Sequence, residues 1–150
     1  MTDRDSPHIF RRSILLNELL NEMSQSDAEQ LAAIAKRRAY PAGTYIFHSG
    51  ETPQVIFIHR RGDVALVTNT GAAEANFAYD VPGQCVYGLA EVLAGSNYES
   101  DLRTTARSEF NIIDRADLIS FLHRSPEVCL GLARLFSRRY QEAVGTLKAH

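Results

Sequence analysis

Three sets of side chains in this sequence carry groups able to do chemistry. His48, Glu51 and His59 offer two imidazoles and a carboxylate to a metal ion, and neutral imidazole is the commonest protein ligand for one. Their spacing argues against that use. The two histidines are separated by eleven positions rather than paired, and His8, His123 and His150 lie in other stretches of the chain. The plainer reading makes His48 and His59 surface or turn residues. Cys85 offers a thiol for redox sensing; its alternative is a small apolar side chain in a core. Arg134, Arg138, Arg139 and Lys148 gather near the C-terminus, where they either meet a polyanion such as nucleic acid or form a solvated face. No serine occupies a Gly-x-Ser-x-Gly elbow, and there is no P-loop or dinucleotide fingerprint. Nothing here supports an enzyme.

The elements that must position these groups follow from patterning. At 150 residues, 45% hydrophobic, the chain is one ordinary domain with enough core to fold unaided. Sixteen basic against eighteen acidic side chains give a net charge of −2, so overall charge favours neither a nucleic-acid coat nor an acidic tail. Two cysteines cannot build a disulfide scaffold, a zinc ribbon or an iron–sulfur site. No apolar run approaches the roughly 20 residues that span a bilayer, and the N-terminus lacks the apolar region of a secretory signal. A soluble, cytoplasmic protein is expected.

The polar stretch 1–12, with Pro7, reads as a flexible leader. Ile14, Leu15, Leu16, Leu19, Leu20 and Met23 recur at helical spacing, and Ser26-Asp-Ala-Glu29 predicts the start of a second helix through Leu31 and Ile34. From Arg38 the texture becomes strand-rich. Tyr45–His48, Val55–Ile58, Val64–Val67, Ala75–Asp80, Leu102–Ala106 and Phe110–Ile113 are separated by turns such as Pro41-Ala-Gly43, Arg61-Gly62-Asp63, Asn69-Thr-Gly71 and Pro82-Gly83. Short strands at such intervals predict a sandwich or barrel. Gly88–Ala94 reads as a short helix inside the β region, and Arg115–His123 as another. Ser125-Pro-Glu127 opens a final long helix, with proline where its missing N–H costs nothing.

This order of elements resembles the cyclic nucleotide-binding domain, and more narrowly the sensor half of the Crp/Fnr family of bacterial transcription regulators. The resemblance is carried by Tyr40-Pro-Ala-Gly-Thr-Tyr-Ile-Phe-His-Ser-Gly-Glu51, by Ile56-Phe-Ile58, by Arg61-Gly-Asp-Val64, and by Gly88-Leu-Ala-Glu91 at the place of the phosphate-binding cassette. It implies an α+β, mainly β fold: a double-stranded β-helix, or jelly roll, over 13–124 with flanking N-terminal helices, followed by a dimerisation helix over 125–150.

Members that bind cyclic AMP or GMP carry adjacent Gly-Glu in the cassette and Arg-Ser/Thr-Ala about ten residues later. The acid accepts from the ribose and the arginine pairs with the phosphate. Here Leu89 follows Gly88, and the arginine's place falls near Asn97-Tyr98-Glu99, where a glutamate would repel phosphate. A rival alignment takes Glu91 as the acid and Arg103-Thr-Thr-Ala106 as the basic end. The resemblance therefore implies a candidate ligand site of Gly88, Leu89, Glu91, Tyr98 and Arg103, with a degenerate cassette and no certain cofactor. Cyclic AMP or GMP remains the possible ligand. Glu91 and Arg103 are alternatively solvated residues. Tyr98 and Leu89 either line a pocket or fill the space of a lost ligand.

In the family the last helix pairs with its twin. Leu132, Phe136, Tyr140, Ala143 and Leu147 form the corresponding seam of a homodimer, although Arg139 and Tyr140 weaken its middle and leave a monomer open. Crp/Fnr regulators continue into a helix-turn-helix domain that reads DNA. No such motif precedes His150, so DNA binding is expected only through a domain absent from this chain; the lack of a C-cap glycine suits a helix that continues. Two other readings stand beside the sensor. One is a protein-interaction module whose roll has lost its ligand. The other is a cupin-like metal enzyme, because cupins are also small β-barrels.

Overall fold

The computed structural model describes residues 14–69, 76–80 and 84–148. Numbered in chain order, its elements are β1 (Ile14–Leu15), α1 (Leu16–Leu20), α2 (Gln25–Ala33), β2 (Lys36–Tyr40), β3 (Tyr45–Phe47), β4 (Val55–Arg61), β5 (Val64–Asn69), β6 (Asn76–Asp80), β7 (Cys85–Tyr87), α3 (Leu89–Ala94), β8 (Asp101–Thr104), β9 (Ser108–Asp114), α4 (Arg115–Arg124) and α5 (Pro126–Lys148). The strands form a five-stranded sheet in the order β1-β7-β4-β9-β2 and a four-stranded sheet in the order β3-β8-β5-β6. Each strand pairing is antiparallel. Strands far apart in sequence lie side by side, β4 with β9 and β3 with β8, as in a jelly roll. No described helix is long and apolar enough to cross a membrane.

Away from its β2 edge, the five-stranded sheet is buried on both faces. Phe57 of β4 points between the sheets, with Phe47, Tyr87, Tyr98, Leu102 and Phe110. Its neighbours Ile56 and Ile58 point the other way, into a layer with Leu19, Leu31, Leu118, Phe121, Leu132 and Leu135 of the helices. That is why Val55–Ile58 reads as a continuous apolar run instead of alternating. In α5, Val128, Leu132 and Leu135 recur on one face and are buried. Gly131 on the same side lets the helix close on the end of α1: a Cβ there would lie 2.6 Å from the Glu22 carbonyl oxygen.

Four local expectations are corrected. Ile14 and Leu15 are strand, not helix, because their backbone is taken up by the edge of β7, Ile14 opposite Val86 and Leu15 opposite Cys85. The cap of α2 is Ser24, whose hydroxyl accepts from the Asp27 N–H at 3.1 Å, so Ser26 lies inside the helix. Two strands escaped the pattern. Lys36–Ala39 of β2 is exposed throughout and so shows no alternation, as suits a charged edge strand. Cys85–Tyr87 is buried at each residue and too short to show a period. The expected leader and the turns at 70–71 and 82–83 lie outside the described residues.

Candidate ligand cavity and the helix behind it

A cavity of about 120 Å³ opens where α3 meets the gap between the sheets. Gly88 makes the corner from β7 into α3 with φ of +95°. A Cβ there would come within 2.9 Å of the Tyr98 hydroxyl and 3.1 Å of the Val55 carbonyl oxygen, so the tight approach needs glycine. Opposite Gly88 stands Tyr98, its ring stacked on Phe47 with centroids 3.7 Å apart. The tyrosine is held at its backbone: its carbonyl accepts from Gly50 N–H at 2.7 Å and its N–H donates to the Glu51 carbonyl at 3.0 Å. Ile14, Phe47 and Tyr87 complete the apolar wall, and Glu91 and Glu99 supply its charge.

The electrostatics of this wall are acidic. Burial raises the Glu91 carboxyl above the usual carboxylate range, and the neighbouring Glu99 charge adds to the shift while a backbone hydrogen bond opposes it. Tyr98 is pushed well up by burial first and by Glu91 and Glu51 next. Tyr87, deeper still, is likewise held well above the ordinary tyrosine value by burial, with the Cys85 thiol beside it. Cys85 is fully buried, and burial pushes its thiol up, which keeps it protonated. A sensor thiolate needs the opposite.

Of the five residues expected at the site, Gly88, Glu91 and Tyr98 line the cavity. Leu89 does not. It points into the helix-side core, because the first turn of α3 rests on the sheet. Arg103 alternates with the inward Leu102 and Thr104 on β8 and instead sits over the Tyr45 ring, 6.0 Å from its centroid. Glu91 and Arg103 are therefore not brought together. Tyr98 is wall and filler at once. Phe47, Tyr87 and Ile14 were not foreseen. Phe47 was readable as the inward residue of an alternating strand, whereas Ile14 and Tyr87 depend on strand pairing that no local pattern reports.

The histidines are also separated. His48 is exposed in the turn after β3, where its N–H donates to Glu51 at 2.9 Å. His59 corrects the surface reading: it is 1% exposed in β4, beside Phe110 at 5.2 Å, with Nε2 3.0 Å from the Arg61 carbonyl. Burial lowers its pKa. Among the described residues no cluster of three or more His, Cys, Asp or Glu side chains is placed to hold a metal.

Comparison with known proteins places this geometry. The family profile of the cyclic nucleotide-binding domain matches residues 37–125, which hold β3 to β9, nearly all of β2, Gly88 and the cavity lining apart from Ile14. The chain belongs to the cyclic nucleotide-binding domain family. It is 27% identical over 126 residues to the cyclic AMP receptor protein of Thermus thermophilus, matching 83% of this chain and 58% of that protein. The chain thus spans little more than half the length of that curated relative. The crystal structure of the Thermus thermophilus catabolite activator protein superposes with a TM-score of 0.71 at 25% identity, over 88% of this chain and 62% of that one. The N-terminal domain of a transcriptional regulator from Streptomyces coelicolor A3(2) shares the fold with a TM-score of 0.73 at 20% identity, over 90% and 94% of the two chains. The domain therefore resembles Crp/Fnr-type regulators in sequence and in architecture.

Behind the cavity, α5 of this cyclic nucleotide-binding domain changes character along its length. Leu132 is buried in the protomer's own core and Phe136 packs half-buried against it. From Phe136 to Leu147 no residue is buried; Tyr140 and Leu147 are 71% and 72% exposed. Two of the basic residues of this helix are turned toward the body and paired. Arg138 reaches Glu22 at 3.5 Å, and Arg139 pairs with Glu18 of α1 as well as with Glu142, 3.6 Å away on its own helix. Arg139, its side chain 18% exposed, departs from the solvated-face reading, whereas Arg138 at 54% keeps to it.

Proposed function

We propose that this domain is the ligand-sensing and dimerising regulatory half of a Crp/Fnr-type transcription regulator, acting by binding and not by catalysis, in the cytoplasm. Its cassette is degenerate and does not take a cyclic nucleotide in the usual way. The observation that carries this is the charge of the cavity wall. Its described lining contains no lysine or arginine and two glutamates, and residues 70–84, which lead through β6 toward β7, contain neither basic type. A cyclic phosphate taken out of water there would meet carboxylates in place of the guanidinium its charge requires. Arg103 faces away.

Dimerisation runs along the exposed face of α5. Leu130, Ala133, Ser137, Tyr140, Val144 and Leu147 recur at alternating spacings of three and four, the a/d pattern of a two-stranded coiled coil. This seam keeps Tyr140 and Leu147 from the sequence expectation, gives up Leu132 and Phe136 to the protomer's own core, and takes Val144 in place of Ala143. Sensing would shift the balance between two settings of the paired helices, and DNA recognition would belong to a further domain.

Calorimetric titration with cyclic AMP and cyclic GMP at moderate salt tests the cassette. No heat and no thermal shift at millimolar nucleotide is expected. Binding near micromolar, about −8 kcal/mol, overturns the degenerate reading. One observation favours the second reading, a roll that has lost its ligand and serves protein contacts. The Phe47–Tyr98 stack leaves about 120 Å³, below the roughly 300 Å³ at which small-molecule pockets usually begin.

A further inference from the structure

One carboxylate joins the wall of the cavity to the long helix. Ile14 lines the cavity. The next residue, Leu15, donates its N–H to Glu18 Oε1 at 3.1 Å, closing the first turn of α1. The same Oε1 accepts from the Arg139 guanidinium of α5. The strand holding Ile14 is itself fastened to the rest of the wall: β1 pairs with β7, which leads straight into Gly88. The Leu16 N–H donates at 2.7 Å to the carbonyl of Gln84, a residue that takes the left-handed φ of +63°. The Arg139 and Glu18 side chains are only 18% and 30% exposed, so water competes little for this charge-assisted contact.

We infer that Glu18 is a positioning residue that couples the cavity wall to the setting of α5, with Arg139 as its counterpart on the helix. Outward movement of Ile14 carries the Leu15 N–H with it and draws the Glu18 carboxylate from Arg139. The helix beyond Phe136, held to the body by Arg139–Glu18 and Arg138–Glu22, then swings. The coupling is reciprocal: a helix held in one setting by its partner grips Glu18 and closes the wall. Arg138–Glu22 holds the same helix to the body but reaches no residue of the cavity lining, so it steadies without relaying. This inference rests on the cavity being the sensing site.

The test is a double-mutant cycle read by hydrogen–deuterium exchange on the whole chain, using no ligand. The variants are Ile14→Ala at the wall, Arg139→Gln on the helix, the two combined, and Arg139→Lys. Arg139→Gln is expected to speed exchange of the wall amides at 85–92 about fivefold, and Ile14→Ala to speed those at 136–147 similarly. Such a factor is within the range seen for residues sharing one hydrogen-bond network. Combined, the variants give less than the product of the single effects, and Arg139→Lys restores the wall. Effects confined to each variant's own neighbourhood, or effects that multiply, overturn the coupling. A missing ligand in the calorimetric titrations leaves this result untouched, so the two readings fail separately.

Discussion

On one face of the five-stranded sheet, Ile56, Ile58, Val86 and Ile113 meet Leu19, Leu31, Phe121 and Leu135 in a layer of wholly apolar side chains. On the other face, Phe47, Tyr87, Tyr98 and Phe110 share the gap between the sheets with Cys85, with the buried His59 and Thr104, and with a cavity. Aliphatic side chains on helices can slide and rotate against one another, so the first layer closes around Phe121 and Ile113 and opens only at its edge, in a groove of about 310 Å³ beside Leu31 and Ile58. The second is bounded by two sheets whose spacing is set by backbone pairing, and flat rings stacked between them leave residual space and polar edges. The first layer is built of apolar side chains, and the second carries the buried polar and titratable groups.

The largest break in this contrast is Phe121→Ala. The ring is fully buried on the helix side, and its loss is expected to cost about 3–5 kcal/mol in urea unfolding. The shape of the pH–stability curve should not change. A smaller effect belongs to the other layer alone. Burial holds His59 below the ordinary histidine value near 6.5, so the folded state prefers the neutral ring and the unfolded chain binds the proton more readily. Stability is therefore fully present above about pH 6.5 and declines as the pH falls from there toward the folded pKa. His59→Phe, which keeps a ring beside Phe110, should flatten that decline in thermal unfolding measured from pH 7.5 to 5. A decline that persists unchanged would assign the acid sensitivity to other groups. The smallest effect on the protomer is expected from Leu147→Asp. At 72% exposure the substitution should alter unfolding by no more than about 0.5 kcal/mol, while sedimentation velocity shows loss of dimer. A dimer that survives moves the seam elsewhere.

The sequence by itself determined much of this protein: turn residues between short runs, the continuous apolar stretch of β4, Gly88 at the corner into α3, and the stripe and proline start of α5. These are local signals, because backbone conformation and burial period are properties of a few neighbouring residues. The family resemblance also put Glu91 and Tyr98 in one candidate site, and both line the cavity, since α3 and the loop after it are contiguous. Tertiary structure decided the rest. Arg103 and Leu89 left the site because strand alternation and helix docking turned them away. Ile14 joined it through a two-residue pairing too short to leave a pattern. Along α5 the apolar stripe does not state its partner: Leu132 satisfies it inside the protomer, whereas Tyr140 and Leu147 remain open. Glu18 and Arg139, 121 positions apart, became one contact only once the chain had folded. Hydrophobic spacing specifies that a face will be covered; what covers it depends on contacts between distant segments, which no local window contains.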